Sequence, residues 1–230
     1  MHLSIIIPTL NERENIQKLI PHLFHNSGLS LVEIIVVDAE KSEDGTAEVA
    51  EQAGARVIRC ADCSRAVQMN LGASHAAGDV LYFVHADALP PASYVSDIQA
   101  AMQEDNDFGF FSYQFDSKKP WLKINSYFTR FDGLFSGGGD QTLFIQKRAF
   151  QLLNGFNAKL KIMEDFDLTK RARKKNFSFK IIKNDVLVSA RKYDRNPYLW
   201  VNFVNLIIFV MYWLGSPSSM IKTVYRRLLF

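Results

Sequence analysis

The chain has 230 residues, 48% of them hydrophobic, so it is long enough to bury the core of one large domain and disorder is not expected. The net charge of +3 conceals an asymmetry, because residues 1–117 carry 6 Lys/Arg and 17 Asp/Glu, whereas residues 118–230 carry 21 and 7. Cys60 and Cys63 alone cannot complete a tetrahedral zinc site. The basic half can face an anionic substrate or membrane leaflet, or can be a solvated surface.

The start of the chain has no basic region and only a short apolar run, which is unlike a signal peptide. We therefore expect a cytoplasmic protein, and reduced cysteines fit that compartment. No nucleic-acid partner is expected.

Short β-branched runs alternate with amphipathic stretches in the first half, which is typical of βαβ units and a mainly parallel sheet. Strands are predicted at residues 3–8, 33–37, 56–59 and 80–84, and helices at about 16–24, 46–53 and 64–77. The second half continues with a helix at 93–104, a strand at 108–115, an aromatic stretch at 121–135, a strand at 142–146, a short helix near 149, a helix at 164–175, and β-like runs at 177–182 and 186–190. The fold class is therefore α/β, with a single Rossmann-like sheet flanked by helices.

Two acidic positions follow predicted strands directly. Asp38 ends the second strand, and the triplet from His85 to Asp87 follows the fourth. Open α/β sheets bind ligands at this edge, where Asp38 can accept from a base or ribose and Asp87 can hold a divalent cation. Loop aspartates also cap helices and form turns, so the prediction depends on the two acting together.

Glu164 and Asp165 open a predicted helix. An acidic first turn is favoured by the helix dipole, which is the ordinary reason for such a pair. In a sugar-transfer reaction, one of these carboxylates instead takes the proton of an acceptor hydroxyl. Arg65 is either a contact for a diphosphate or a surface arginine. No glycine-rich dinucleotide or P-loop motif occurs in the sequence, so the ligand must be held in another way.

Several segments in chain order resemble family 2 glycosyltransferases with the GT-A fold, and in particular a bacterial branch associated with arsenosugar biosynthesis. The segments are 5–12 (IIIPTLNE), 35–38 (IVVD), 42–46 (SEDGT), 64–73 (SRAVQMNLGA), 85–87 (HAD), 139–141 (GDQ) and 163–165 (MED). The resemblance covers residues 3–193. It implies a GT-A domain at 1–195, with a nucleotide-binding half at 1–115 and an acceptor half at 116–195.

The resemblance also implies an inverting transfer from a nucleoside diphosphate sugar to a hydroxyl acceptor. Asp165 is expected as the base beside Glu164, and Asp87 and His85 as ligands of Mg²⁺ or Mn²⁺. The other implied contacts are Pro8, Thr9, Glu12, Asp38 and Arg65 for the nucleotide, and Gly139, Asp140 and Gln141 for the acceptor.

Two positions depart from the family pattern. His85 replaces the usual first aspartate of the metal triplet, and the late histidine is missing near residues 189–191. Arg191 is therefore predicted to neutralise the leaving diphosphate, since a guanidinium matches phosphate oxygens. The same departures favour the alternative of a catalytically silent scaffold that keeps the fold.

Residues 196–230 form a hydrophobic and basic segment. Residues 198–214 contain no formal charge, but a helix of that length reaches only about 25 Å, short of a ~30 Å hydrocarbon core. Aromatic residues and basic flanks suit a helix lying at a membrane surface, with contact through residues 196–227. The alternatives are a helix packed on the domain and a dimer interface.

Overall fold

A computed structural model describes residues 1–28, 30–62, 64–133 and 136–229. The strands in these ranges are β1 (His2–Thr9), β2 (Leu31–Ala39), β3 (Arg56–Cys60), β4 (Val80–Phe83), β5 (Ala88–Leu89), β6 (Phe108–Phe115), β7 (Leu143–Gln146) and β8 (Phe179–Val188). The helices are α1 (Arg13–His25), α2 (Thr46–Gln52), α3 (Arg65–His75), α4 (Tyr94–Gln103), α5 (Pro120–Phe128), α6 (Lys147–Leu152), α7 (Glu164–Lys174), α8 (Arg191–Arg195), α9 (Tyr198–Trp213) and α10 (Ser218–Leu229), with a 3₁₀ turn at Gly139–Gln141.

The strands form a single sheet in the order β3-β2-β1-β4-β7-β6-β8-β5. Neighbours within β3-β2-β1-β4 are parallel, as the alternating pattern predicts. In the other half β7 is antiparallel to both β4 and β6, and β5 is antiparallel to β8, while β6 and β8 are parallel. The predicted α/β class is confirmed, and the sheet is purely parallel only in its first half.

Helices cover both faces of the sheet because successive side chains of a strand point to opposite sides. In β1, Ile5 and Ile7 belong to the core beneath α1 and α4, whereas Ile6 belongs to the core beneath α3, α6 and α7. Gly72 of α3 lies so close to the sheet that a Cβ there would stand 2.5 Å from a methyl carbon of Ile6. The parallel strands are thus buried on both sides, and their polar ends remain the natural place for a ligand.

The C-terminal helices pack on the same domain. Val201, Val204 and Ile208 of α9 are buried in the core that also contains Ile221 and Leu229 of α10. The Trp200 indole N–H donates to the backbone oxygen of Leu228 at 3.0 Å, joining the two helices. Within the described part of the chain, no helix combines the length and the apolar character that crossing a membrane requires.

Several elements differ from the sequence prediction. The β-like runs at 177–182 and 186–190 are one strand, β8, whose pairing with β6 shifts register between Phe111 and Tyr113. The aromatic stretch contains α5, which the pattern does not predict, and its last two positions lie outside the described residues. Cys60 is buried at the end of β3, and Cys63 also lies outside the described residues.

Candidate active site

The site lies at the edge where β1, β2 and β4 end. Thr9 stands opposite Asp38 in the pairing of β1 with β2, and Phe83 of β4 stands opposite Ile6 of β1. The turn with His85 and Asp87 follows β4 directly. Residues that are distant in sequence therefore meet because parallel strands end on the same side.

Asp38 is completely buried at this edge. Its carboxylate accepts a hydrogen bond from the Thr9 hydroxyl at 2.8 Å and one from Arg59 Nη1 at 2.7 Å. Burial raises the pKa of Asp38, and the hydrogen bonds from Thr9 and Ser42 and the charge of Arg59 act against that rise. The carboxylate is thus held in a fixed position by its neighbours.

Gln68 of α3 connects β1 and β2 near this edge through two hydrogen bonds. Its buried amide nitrogen donates to the backbone oxygen of Thr9 at 2.7 Å and to that of Val37 at 2.8 Å. These two carbonyls mark the ends of β1 and β2. Gln68 is part of the motif in residues 64–73, but sequence reasoning did not assign it a role.

Glu12 and Asp44 belong to loops that close over the strand ends. The Asp44 carboxylate accepts from the backbone N–H groups of Arg13 and Thr46, each at 3.0 Å. Burial acts to raise the pKa of Asp44, but these bonds and one from the Thr46 hydroxyl together outweigh it and lower the pKa. Burial raises the pKa of Glu12, which Asn15 opposes and the charge of Asp87 reinforces. Glu12 is therefore near the turn that follows β4.

Asp87 and His85 are the predicted metal ligands. Asp87 is half-exposed, and its nearest cation is Arg191, whose Nη2 lies 3.8 Å from Oδ2. Burial, together with the charge of Arg65, lowers the pKa of His85 and keeps an imidazole nitrogen available as a ligand. Within residues 1–28, 30–62, 64–133 and 136–229, no three His, Cys, Asp or Glu side chains cluster closely enough to hold a metal ion. Mg²⁺ commonly uses one or two carboxylates plus substrate phosphates, so these residues fit a cation that is shared with a diphosphate.

Glu164 and Asp165 lie in the first turn of α7, and both are buried, with 1% and 6% of their surface exposed. Arg65 Nε lies 2.8 Å from Glu164 Oε1, yet neither Glu164 oxygen has a hydrogen-bond partner among the described residues. Burial and the neighbouring Glu164 charge raise the pKa of Asp165 to about 7, against the opposite effect of Arg65. Met163, which precedes the pair, has a left-handed backbone with φ 69°. Such backbone is uncommon outside glycine and is concentrated at functional sites.

The turn from Gly139 to Gln141 lies beside these carboxylates. Asp140 is near enough to raise the Asp165 pKa further, and its own pKa is lowered chiefly by Lys192, whose Nζ lies 3.4 Å away. Gln141 is buried, and its side chain accepts from the Gly137 N–H at 2.6 Å and donates to the Thr129 oxygen at 3.1 Å. Gln141 therefore shapes the turn, while Asp140 faces the charged cluster.

The predicted residues form two connected groups. Thr9, Glu12 and Asp38 lie on the nucleotide side. On the other side, Arg65, His85, Asp140, Glu164 and Asp165 are close enough for their charges to interact. Asp87 joins them because its charge acts on both Glu12 and His85. Pro8 is buried within β1 opposite Val37, so its side chain belongs to the sheet edge. Asp38, Asp87 and Asp165 are thereby brought to one side of the molecule.

Other residues of the site escaped sequence reasoning. Arg59 pairs with Asp38, and Lys192 pairs with Asp140. Tyr225 of α10 is close enough to act electrostatically on Arg65 and Lys192. The excess of basic residues after position 117 was the available signal for Lys192, whereas nothing in the local sequence of α10 points to the site.

The chain resembles known proteins in sequence and in fold. The family model "Glycosyl transferase family 2" matches residues 4–157. A curated relative, 4,4'-diaponeurosporenoate glycosyltransferase of Staphylococcus haemolyticus (strain JCSC1435), is 36% identical over 92 residues, which are 37% of this chain and 24% of that protein. The chain thus matches about a quarter of the length of this relative.

Solved structures match over nearly the whole chain. TarS 1–349 of S. aureus in complex with UDP-GlcNAc has a TM-score of 0.69 at 18% identity, covering 100% of this chain and 72% of that one. Mannosyltransferase PcManGT from Pyrobaculum calidifontis, in complex with GDP-Man and Mn²⁺, has a TM-score of 0.69 at 16% identity, covering 99% and 69%. Glucosyl-3-phosphoglycerate synthase from Mycobacterium tuberculosis, in complex with Mg²⁺ and UDP, has a TM-score of 0.67 at 17% identity, covering 95% and 81%. At these identities the likeness establishes the fold, and the predicted GT-A architecture is confirmed.

Proposed function

Because the chain belongs to glycosyl transferase family 2, we propose that it moves a sugar from a nucleoside diphosphate sugar to a hydroxyl acceptor, with Asp165 as the general base. The observation that carries this proposal is the buried Asp165 carboxylate, whose pKa is raised to about 7. A base works best when its pKa lies near the working pH, because it is then both ionised and basic. An ordinary exposed aspartate is a much weaker base.

The proposed reaction is a single displacement. Asp165 takes the proton of the acceptor hydroxyl while its oxygen forms a bond to the anomeric carbon. The bond from that carbon to the diphosphate breaks on the opposite face, and the nucleoside diphosphate leaves with the bonding electrons. One base and no protein nucleophile are needed, so the anomeric configuration inverts.

The nucleotide is proposed to lie along Thr9, Glu12 and Asp38. Asp38 is fixed by Thr9 and Arg59, and a carboxylate held in this way can accept from a ribose hydroxyl or a base N–H without reorganising. Pro8 contributes through the backbone at the end of β1. These assignments are supported by the relatives that are complexed with UDP-GlcNAc, GDP-Man and UDP.

The diphosphate is proposed to bind next to Asp87, His85 and Arg191. Asp87 and His85 are the residues that would hold Mg²⁺ or Mn²⁺, and the structures with bound Mn²⁺ and Mg²⁺ support such a cation. When bound, the cation supplies charge neutralisation at the leaving diphosphate. Arg191 already lies 3.8 Å from Asp87 and brings a second positive charge to the same place, and Arg65 is positioned to contribute a third.

The acceptor is proposed to enter beside the turn Gly139–Gln141, next to Asp140. The alternative of a silent scaffold accounts poorly for this arrangement. Burying two adjacent carboxylates, one of them without a hydrogen bond, is costly and brings nothing to a surface that only docks a partner. Such a cost is typical of a catalytic site.

The test compares Asp165→Asn with Asp167→Asn. Asp167 lies two residues further along α7 and pairs with Arg171, so it is a matched control outside the site. With a donor found by screening UDP- and GDP-sugars, Asp165→Asn should lower kcat by roughly 10²- to 10⁴-fold. Binding of UDP or GDP with Mn²⁺, measured by calorimetry, should be unchanged. Equal turnover in the two variants would remove Asp165 from its role, and absence of nucleotide binding would favour the scaffold.

We also propose that residues 196–227 contact the cytoplasmic face of a membrane. The outward side of α9 is an exposed apolar stripe, and residues 196–229 contain three basic side chains and no acidic ones. We call this set the α9 stripe: Leu199, Phe203, Leu206, Val210 and Leu214. An apolar face with basic neighbours is complementary to a lipid surface with anionic headgroups.

Vesicle co-sedimentation tests the membrane contact. Binding to phosphatidylcholine vesicles should increase with added phosphatidylserine and should weaken in Leu206→Ser. Leu152→Ser is the matched control, because Leu152 is similarly exposed but lies on α6, outside the α9 stripe. Equal binding by both variants, or a dimer in sedimentation equilibrium that Leu206→Ser dissociates, would contradict the proposal.

A further inference from the structure

A groove of about 440 Å³ lies between α7 and α9. We call it the α7–α9 groove. Its walls are formed by three aromatic residues of α9, by four residues of α7 and by three residues of the segment before the 3₁₀ turn: Phe209, Tyr212, Trp213, Phe166, Thr169, Lys170, Arg173, Asp132, Gly133 and Ser136. Its volume falls within the range of pockets that enclose small organic ligands. The assignments above do not use it.

The groove begins next to the proposed base. Thr169 follows Asp165 by four residues, which is about one helical turn or 5.4 Å along α7, and its hydroxyl donates to the Asp165 backbone oxygen at 3.0 Å. Phe166 is the next residue after Asp165 and its ring faces the groove. Gly137, which lies two residues before the turn Gly139–Gln141, also approaches the groove closely. A Cβ at Gly137 would lie 2.7 Å from a side-chain carbon of Thr169.

Four of the ten residues that line the groove are aromatic, and three of these four belong to α9. The rings of Phe166 and Phe209 pack edge to face at 5.9 Å, and Phe209 and Trp213 lie 6.0 Å apart. The Lys170 ammonium stands 4.4 Å from the centre of the Trp213 ring, where it is stabilised by the aromatic face. The surface that faces a ligand is therefore largely ring carbon.

Two polar side chains along the groove, those of Arg173 and Thr169, already have hydrogen-bond partners. Arg173 donates to both Asp132 oxygens at 2.7 and 3.1 Å and to the Ser136 hydroxyl at 3.1 Å. The Thr169 hydroxyl donates to the backbone oxygens of Asp165 and Phe166. An apolar ligand leaves these bonds intact.

We propose that the α7–α9 groove binds an apolar segment of the acceptor and delivers the acceptor hydroxyl to Asp165. The inference rests on the proposed function and adds the class of acceptor, an amphipathic alcohol with an aliphatic or aromatic portion. The apolar portion lies against the rings of Phe209 and Trp213. The hydroxyl end extends past Thr169 to the first turn of α7.

The test measures binding without any sugar donor. The probes are n-octyl β-D-glucopyranoside, below its micelle concentration, and methyl β-D-glucopyranoside, titrated into the full chain by calorimetry. The octyl compound should bind at least about tenfold more tightly than the methyl compound. Equal affinities would overturn the proposal.

Two variants locate the binding. Trp213→Ala should weaken octyl glucoside binding by about tenfold, because one aromatic contact is removed. Trp121→Ala is the matched control, since Trp121 is an exposed tryptophan on α5, outside the groove. Gly133→Phe provides a second route, because a Cβ at Gly133 meets nothing within 4 Å and the larger ring should fill the groove and abolish binding. Equal weakening by both tryptophan variants would show nonspecific adsorption and overturn the proposal.

Failure of this inference is separable from failure of the proposed function. If the wild-type chain transfers sugar through Asp165 but does not prefer the octyl probe, only the acceptor class is wrong. If the octyl probe binds as expected and Asp165→Asn has no effect on turnover, the groove stands and the base assignment fails.

Discussion

The two sides of the site hold their carboxylates in opposite ways. On the nucleotide side, Asp38 is buried but is held by a hydroxyl and a guanidinium at 2.8 and 2.7 Å. On the acceptor side, Glu164 and Asp165 are buried next to each other, and one arginine lies 2.8 Å from Glu164. The first arrangement gives its carboxylate two close side-chain partners, while the second leaves both Glu164 oxygens without a hydrogen bond among the described residues.

This difference indicates a division of work between the halves. A satisfied carboxylate is rigid and binds a ligand without reorganising, which suits recognition. Burial beside the Glu164 charge raises the pKa of Asp165 to about 7, which suits proton transfer, and the ionised Asp165 costs stability. Changes to the two sides should therefore affect folding in opposite directions.

The largest effect is expected for the stability of Asp165→Asn. The pKa of Asp165 is raised from 3.8 to about 7 in the folded protein. Between these two pH values, the folded protein keeps the Asp165 proton and the unfolded chain has released it. Stability contributed by the protonated form is present below pH 4 and is lost as the pH rises through 7. A neutral asparagine avoids this loss, so the variant should gain up to about 4 kcal/mol at pH 8 and little at pH 4.

Urea denaturation of wild type and Asp165→Asn at pH 4, 6 and 8 measures this gain. A gain that grows with pH supports an uncompensated native carboxylate. A variant that is less stable than wild type at pH 8 would show that Asp165 is well solvated or well paired, and the contrast between the two sides would be lost.

The opposite sign is expected for Asp38→Ala. Removing the carboxylate leaves the buried Thr9 hydroxyl without its short hydrogen bond and Arg59 without its partner. The free energy of unfolding should fall by about 1–3 kcal/mol, since a buried group loses its partner. Asp44→Ala is a suitable comparison from the same edge, because the Asp44 carboxylate also accepts hydrogen bonds, from the backbone N–H groups of Arg13 and Thr46, and a loss of similar size is expected. An increase in stability for Asp38→Ala would mean that both sides are uncompensated.

Local sequence was sufficient for the nucleotide side. Asp38 follows a β-branched strand directly, and the parallel pairing of β1 and β2 then brings it to Thr9 without further information. The order of the βαβ units predicts this edge because consecutive parallel strands are usually neighbours. The bounds of β6 also agreed with the prediction, since five of its eight residues are aromatic and aromatic residues favour strands.

The arrangement of the acceptor side could not be predicted from local sequence. Strand β7 lies between β4 and β6 and is antiparallel to both. Asp140, which precedes β7, is thereby placed near Asp165 by contacts between residues that are distant in sequence. Lys192 and Tyr225 reach the cluster only because α8 and α10 fold back onto the domain. The two β-like runs gave no indication that they form one strand, because a register shift is set by the partner strand.

Two valines of α9 test which face of this helix is buried and which is exposed. Val204 is fully buried in the core, whereas Val210 is 46% exposed on the α9 stripe. Val204→Ala should lower the free energy of unfolding by about 1.5 kcal/mol, and Val210→Ala should change it by less than about 0.5 kcal/mol. Thermal unfolding of both variants measures the difference. Equal losses would show that both faces of α9 are covered, which contradicts a stripe available for lipid.

The smallest effect is expected in the pH profile of Glu164→Gln. The Glu164 charge is the second cause, after burial, of the raised Asp165 pKa, so removing it should lower that pKa and move the acid limb of kcat/KM from about pH 7 toward lower pH. Arg65 and Asp140 also act on Asp165, and they remain in this variant. The movement should be less than about one pH unit, equivalent to about 1.4 kcal/mol, because burial is unchanged. Asp167→Asn is the control and should leave the limb in place. A limb that moves to higher pH would mean that Glu164 shares the proton with Asp165, and the base would then be the pair.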